Sequence, residues 1–588
     1  MSIIKNSQGS SLLLGAAAMM QLTGCATAPT TTKTTLNNNS QVILDEYKKV
    51  FGEAPELVDY NAERPNILFI TSDQHFWMGL GFNDPTIKTP NLDRLAELGV
   101  VFDRAYTCNP VSTPTRSSMI TGLMPSQHGA YALGTKLSED VPTIGNYLGD
   151  AGYATSLVGK AHFMPLAGTA QYPTLEGYPV LQDLDFWREY KGPFYGFEDA
   201  CLARNHADES HVGQHYAIWM EEKLKENGQD PNSWKNWFLK VGEIPYANIS
   251  DEMRRIVEEH GALGVKQQGV WNIPEEYHLN AWIADETNNR IDKFAKEGKP
   301  FFLWASFFDP HPPYLIPEPW VSMYRDEDMI IPDVPADDLD DMPHQYRMTQ
   351  VRDSKWAKEY FEDGFPVHGL GFHDTDRAKL QYSKRVYYGM ISMMDKYIGL
   401  ILDNLEKNNI LDKTMIIFTT DHGHHIGTHN LDKKGGFAFE EDLRIPFIVS
   451  WKGHYPENKR TDALVSVVDL APTFLRLAGY KETPTMSGVD LDPLFRGDVE
   501  KARDWVIAEN HFQRTIFYQK TYIEDRYKIT WYMNSDEGEL FDLKNDPHEY
   551  ENLWDKAEYQ KLKLDMLLNA VQADMKAEPC WMPRIGPA

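Results

Sequence analysis

Cysteine is nearly missing from this chain, with four in 588 residues. Cys108, Cys201 and Cys580 follow an N-terminal Cys25 as an odd set without metal-like spacing, so neither a disulfide framework nor a cysteine-based zinc site is implied. Positive charge is also short: 58 Lys and Arg stand against 86 Asp and Glu, a formal charge of -28. That balance argues against nucleic acid, or an anionic membrane surface, as a partner attracted from a distance. An anionic substrate must then be caught by local positive groups against the net field. Long hydrophobic runs are lacking too. The apolar stretch from Leu12 to Met20, preceded by Lys5, is too short for a permanent span and has the make-up of a secretory signal. No internal repeat is evident, and the length calls for more than one small core.

Leu22-Thr23-Gly24-Cys25 resembles a bacterial lipoprotein box. The likeness implies a signal peptide over 1–24, a lipid on the Cys25 thiol, and attachment to the membrane at the bacterial cell envelope; an ordinary signal peptide with a chance cysteine is the other reading. Thr, Ala, Pro and Asn then dominate, and residues 25–61 read as a flexible tether.

From Asn66 onward, apolar runs typical of buried parallel strands end repeatedly in polar, chemically able residues. Asn66–Thr71 ends in Ser72-Asp73-Gln74-His75, and Ala154–Val158 leads to Gly159-Lys160-Ala161-His162. Pro300–Phe308 ends in Asp309-Pro310-His311, and Thr414–Thr420 in Asp421-His422-Gly423-His424-His425, with Lys434 beyond. Open α/β sheets place their sites at such strand ends. Taken singly, each has a plain reading: Asp73 as a cap, Lys160 and His162 as a surface turn, His311 as a proline-locked turn. The four histidines and one aspartate from Asp421 to His429 also satisfy the composition of a zinc site. Helical periods fall over Thr89–Val100, Val141–Gly152, Tyr277–Lys296 and Tyr382–Leu405. Two irregular insertions, about 164–276 and 318–376, interrupt the α/β pattern. The first, rich in aromatic and polar residues, reads equally as a sugar-binding wall over the active face and as a small packed subdomain. Beyond about residue 480, alternating segments and a helix from Lys556 to Lys576 predict a small antiparallel sheet with a C-terminal helix.

The densest stretch is Asn109 to Gly129, which sets Ser112, Pro114 and Arg116 in an S-x-P-x-R frame, followed by Thr121-Gly122 and His128-Gly129. Pro110 and Pro114 restrict the backbone on both sides of Ser112, and the segment after Pro114 can open a helix whose N–H groups attract an anion. The Arg116 guanidinium adds fixed planar charge for an oxyanion. The bland reading of the frame alone is a helix capped by serine.

In its extended form the window resembles the signature of type I sulfatases, in the version with Ser at the first position; the order and spacing of the other residues resemble that family from Asn66 to the D-x-x-x-D-P-x-E segment at Asp542–Glu549. Cys108-Asn109-Pro110 begins like the Cys form but meets Ser112 where Arg is required, so Ser112 is chosen over Cys108. The resemblance implies an alkaline-phosphatase-like α/β fold, with a catalytic domain over 62–480 and a C-terminal subdomain over 481–588. It implies oxidation of Ser112 to formylglycine by a serine-type sulfatase-maturating enzyme. It assigns Asp73, Gln74, Asp421 and His422, together with residue 112, to one divalent cation, calcium. Gln74 and His422 depart from the commoner Asp and Asn, as in the branch similar to iduronate-2-sulfatase and choline sulfatase; His422, a nitrogen donor, leaves the metal's identity open.

Charge then dictates the chemistry. A sulfate ester in a loose transition state spreads negative charge over its oxygens and its leaving oxygen, so cations must surround the sulfate and an acid must stand behind it. Arg116, Lys160 and Lys434 supply charge, and His311 is the candidate acid. A sulfated serine would be another stable ester. An aldehyde hydrate avoids this: one hydroxyl attacks sulfur, and the other, deprotonated by a base such as His162, expels sulfate and restores the carbonyl. The expected substrate is a sulfated carbohydrate such as an ulvan or carrageenan fragment. The rivals are a phosphonate or phosphate ester hydrolase of the same superfamily and an inactive surface glycan-binding protein.

Overall fold

The computed structural model describes residues 64–239, 241, 268–362, 365–480 and 486–578. The signal peptide, Cys25, the tether and Cys580 lie outside the described residues.

An eight-stranded sheet forms the centre of the molecule. Its strands are β1 (Asn66–Ser72), β2 (Val100–Phe102), β3 (Ala154–Lys160), β4 (Asp199–Ala203), β5 (Phe301–Ser306), β6 (Thr414–Thr420), β7 (Phe447–Ser450) and β8 (Lys459–Thr461). They lie side by side in the order β8-β2-β7-β6-β1-β5-β3-β4. All neighbours are parallel except β7, which runs antiparallel to both β6 and β2. β1 sits in the middle, with Leu68 opposite Ile416 on one side and Leu303 on the other.

Alternation of side chains along β1 sends its residues into two cores. Leu68 and Ile70 join one with Ile283 and Met394, which come from α3 (Leu279–Glu297) and α4 (Arg377–Lys407). Ile67 and Phe69 join the other with Met119 of α2 (Ser112–Thr121) and Phe474 of α5 (Leu470–Leu477). Both faces are covered, which is why the strands read as unbroken apolar runs. The N-terminal turn of α1 (Pro90–Glu97) is held from α4: Asp395 accepts from Asn91 N–H and, at 2.7 Å, from Leu92 N–H.

A second, four-stranded antiparallel sheet is built from β9 (Val506–Asn510), β10 (Gln519–Ile523), β11 (Tyr527–Tyr532) and β12 (Gly538–Asp542), followed by α6 (Gln560–Ala577). It grips the main domain through a buried latch. The Lys528 ammonium meets Glu549, lies 3.3 Å from Glu440 and donates to the Ala438 carbonyl at 2.7 Å.

The expected insertion over 164–276 needs a correction. Residues 199–203 within it form β4, paired with β3 from Ser156 opposite Asp199 to Lys160 opposite Ala203. This segment is the edge of the sheet and not only cover laid over it; a five-residue strand is too short to announce itself by period.

Candidate active site

Parallel strands deliver their C-terminal ends to one rim. Asp73 and Gln74 follow β1, Lys160 closes β3, the loop after β5 carries His311, and Asp421 and His422 follow β6. Ser112 opens α2 from an extended Val111. Its approach is fixed by Asn109, whose Oδ1 accepts from Val111 N–H at 2.9 Å and whose Nδ2 donates to the Glu509 carbonyl of β9 at 2.6 Å. Thr107 and Thr115 both donate to the Asn109 carbonyl. Gly122, in the left-handed region at φ 67°, ends the helix.

The cluster is dry and highly charged. Asp73, Ser112, Arg116, Lys160, Asp421 and His422 have no exposed surface. Arg116 donates from Nε to Asp421 at 2.8 Å and from Nη1 to Ser306 Oγ at 2.8 Å, and its Nη2 lies 3.5 Å from Asp73. Lys160 meets Asp73 and lies 2.9 Å from His206 Nε2. Lys434 reaches His422 Nε2 at 2.8 Å and Ser112 Oγ at 3.5 Å, while Ser112 Oγ is 3.0 Å from His422 Nε2. Ser112 thus faces an ammonium and an imidazole.

Burial sets the protonation states first, and the local charges modify them. Burial works to raise the Asp73 carboxyl, yet the Lys160 ammonium, then His311, His206 and Arg116, hold it well below the usual range. Asp421 is brought down to about 2, with His422 and Arg116 outweighing burial and Asp73. Burial takes His422 down to about 4, so its ring is neutral. Since Nδ1 of that ring faces the Gly423 carbonyl at 3.1 Å, the proton sits there and the Nε2 lone pair faces Ser112 and Lys434. Desolvation likewise pushes His311 and His162 well below their ordinary value, with the cations around them adding to it.

The donor set suits a divalent cation. Ligand atoms of Asp73, Asp421 and His422 all lie within 4.8 Å of one another. Asp73 Oδ1 and Gln74 Oε1 are buried without hydrogen-bond partners among the described residues. Two orphaned oxygens beside a second carboxylate are costly unless something positive meets them. Gln74 is held for the purpose in the left-handed region at φ 59°, with its N–H on Asp421 Oδ1 at 3.0 Å and its Nε2 2.7 Å from His424 Nδ1. His424 is fixed in turn by Tyr314, 2.8 Å from its Nε2.

The predicted site residues after the strands lie along this rim, though not all of them touch Ser112. His162, at φ 63°, sits on a turn whose N–H groups at 162, 163 and 164 converge on the Glu176 carboxylate; its Nδ1 has no partner among the described residues. His311 bonds through Nδ1 to the Pro312 carbonyl at 2.5 Å and stacks on His206, with ring centroids 4.0 Å apart. The histidine run does not form a zinc site of its own, because of its four rings only His422 offers a ligand atom to the cluster: His424 bonds to Gln74 and Tyr314, His425 pairs with Asp442 and His429 with Asp338. Cys108 is buried off the cluster, its thiol pushed up to about 12 by burial.

Missed altogether were His206 and its neighbours. His206 Nδ1 and His211 Nε2 lie 3.3 and 3.1 Å from the same Glu209 oxygen, which makes a half-buried bracket beside Lys160 and His311. The signal was the apolar run Ala200–Ala203 ending in Arg204-Asn205-His206, the same strand-then-polar form as the other four, lost in an irregular segment.

Comparison with known proteins agrees with this geometry. An arylsulfatase of Clostridium perfringens is 27% identical over 523 residues, covering 86% of this chain and 93% of its own. An ulvan-active sulfatase of Formosa agariphila is 24% identical, covering 88% and 82%. Among solved structures, the phosphonate monoester hydrolase of Agrobacterium radiobacter superposes with a TM-score of 0.67 at 23% identity, covering 89% of this chain and 99% of that one, a likeness of fold. The C-terminal profile of N-sulphoglucosamine sulphohydrolase matches residues 427–576. The Sulfatase profile matches residues 65–480, and with its alkaline-phosphatase-like fold the chain belongs to the sulfatase family, the sulfuric ester hydrolases.

Proposed function

We propose that the enzyme removes sulfate from a sulfated carbohydrate through formylglycine formed from Ser112, with one divalent cation, calcium, seated by Asp73, Gln74, Asp421 and His422 next to residue 112. The pair of orphaned buried oxygens on Asp73 and Gln74, beside a serine that faces Lys434, carries this reading most directly. A hydrated aldehyde at position 112 supplies a hydroxyl for attack on sulfur, and the cation supplies charge for the sulfate oxygens. Arg116 aligns the two carboxylates and spreads positive charge behind the site. Lys160 and Lys434, drawn from opposite sides, are the cations for the transferring sulfate. His422 keeps its lone pair toward residue 112.

His311 is the proposed acid and His162 the proposed base. In the free enzyme the field of neighbouring cations, added to burial, keeps both rings neutral. An arriving sulfate ester opposes that field, so protonation of His311 at Nε2 becomes easier as substrate binds, while the Pro312 carbonyl keeps Nδ1–H in place.

A carbohydrate substrate is supported by relatives such as the ulvan-active sulfatase and by the many aromatic residues of the first insertion. Maturation of Ser112 by a serine-type maturating enzyme, and anchoring through a lipid on Cys25, complete the proposal. The test is sulfate release from a panel of ulvan and carrageenan oligosaccharides by protein co-expressed with such a maturating enzyme. Turnover of at least one carbohydrate in preference to an aryl sulfate is expected. Preference for an aryl phosphonate over every sulfate ester would overturn it, and glycan retention without sulfate release would do the same.

A further inference from the structure

Between residues 344–360 of the second insertion and the C-terminal sheet lies a cleft of about 370 Å³. Its volume falls within the range of small-ligand sites, about 300–1,000 Å³. Aromatic side chains line it, Tyr360, Tyr518 and Tyr532 together with Phe517. Gln345 is also in the wall, only 5% exposed, and its Nε2 has no hydrogen-bond partner among the described residues. An amide donor left unpaired in a buried wall is unfavourable, a cost removed by a ligand that accepts from it. Glu359 and Glu537 are in the lining too, already engaged by His344 at 3.2 Å and by Arg347 at 2.7 Å respectively.

Flat rings and an amide donor are what the C–H face and a hydroxyl oxygen of a sugar require together. The cleft is also joined to the catalytic rim: Phe517 packs so close to Gly436, two residues from Lys434, that a Cβ there would come within 3.2 Å of its ring. Tyr518 stacks on His511 at 4.1 Å, and His511 meets Tyr131 in a tilted pair at 4.9 Å, a row of rings leading toward the segment after α2.

We infer that this cleft is a second, non-catalytic sugar subsite, holding another unit of a longer sulfated chain while its sulfate occupies the rim at Ser112. The inference rests on the carbohydrate reading above and adds to it a preference for chains over single sugars.

The experiment compares matured wild type with Tyr518→Ala and Gln345→Leu, on an aryl sulfate and on ulvan or carrageenan disaccharides and hexasaccharides, with melting temperature as the folding control. Either folded variant should raise KM for the hexasaccharide by about tenfold, the equivalent of one good contact. Its kcat, and the aryl sulfate rate, should stay at the wild-type level. Unchanged KM for the hexasaccharide in a folded variant would overturn the subsite alone. Wild type that releases sulfate from the aryl ester but from no carbohydrate would overturn the subsite and the substrate class together.

Discussion

Ser112 lies 3.0 Å from an imidazole lone pair and 3.5 Å from an ammonium, in a site without exposed surface, and the predictions at residue scale follow from that setting. Lys434→Met removes a charge that meets the transferring sulfate. It should lower kcat by about 10²–10³, in line with the loss of one oriented cationic donor, with little change in melting temperature. Steady-state kinetics on an aryl sulfate will measure it. Gln74→Leu keeps the volume but removes an orphaned oxygen. Calorimetric titration of chelator-treated protein with calcium should show weaker binding than wild type; equal affinity would remove Gln74 from the ligand set. The rim position of Gln74 was legible because it follows a run of buried strand, while Ser112 and Lys434 were singled out by motif and charge. Sequence reasoning missed His206, Glu209 and His211 because their strand is five residues long and their segment lacks a period. Composition alone does not separate His422 from His424, His425 and His429; only the family resemblance singled out His422. Adjacent positions in a loop point in unrelated directions, and only the fold sends them to Ser112, Gln74, Asp442 and Asp338 respectively.

Among the elements, α1 and α4 are joined by one carboxylate. Asp395 satisfies two N–H groups at the start of α1 and accepts from the Asn91 side chain as well. Asp395→Ala should cost about 1–3 kcal/mol by orphaning those donors, read as a fall in denaturation midpoint without a change in slope. Burial raises this carboxyl from 3.8 to about 6 despite its N–H partners. The folded state therefore holds the proton more tightly than the unfolded chain, and its stabilising contribution is complete at low pH and fades as pH climbs from 3.8 through about 6. Asp395→Asn does not titrate, so across that window its melting temperature should gain on wild type. Strand and helix positions were legible wherever burial on both faces left an apolar run, as in β1, β5 and β6. The start of α4 at Arg377 was not legible, because its first turn mixes Arg377 and Lys379 with Ala378 and Leu380, and the Asp376 cap, accepting from Lys379 N–H at 3.1 Å, only announces itself in three dimensions.

At the scale of the whole molecule, the C-terminal sheet is part of the catalytic apparatus through what it holds. β9 offers its Glu509 carbonyl to Asn109 and the Glu509 carboxylate to Ser126, on either side of α2. The Lys528 ammonium is sealed between Glu549, Glu440 and the Ala438 carbonyl. Lys528→Met would leave two buried carboxylates facing each other, a loss of about 3–5 kcal/mol, and thermal unfolding should show it as a large drop in melting temperature. The small antiparallel sheet was readable from alternation. Its grip on the Ser112 loop was not, since it depends on a backbone carbonyl, which carries no sequence signal. Net charge pointed the same way throughout: a chain of formal charge -28 gathers Arg116, Lys160 and Lys434 at one buried rim. Everything proposed for that rim requires an aldehyde at position 112. Mass spectrometry of the peptide spanning Ser112, taken from protein matured to full sulfatase activity, measures this directly. A peptide lighter than the serine form by two hydrogens, and reactive toward an aldehyde-specific hydrazine, is the expected result. Unmodified serine throughout a fully active preparation would contradict it.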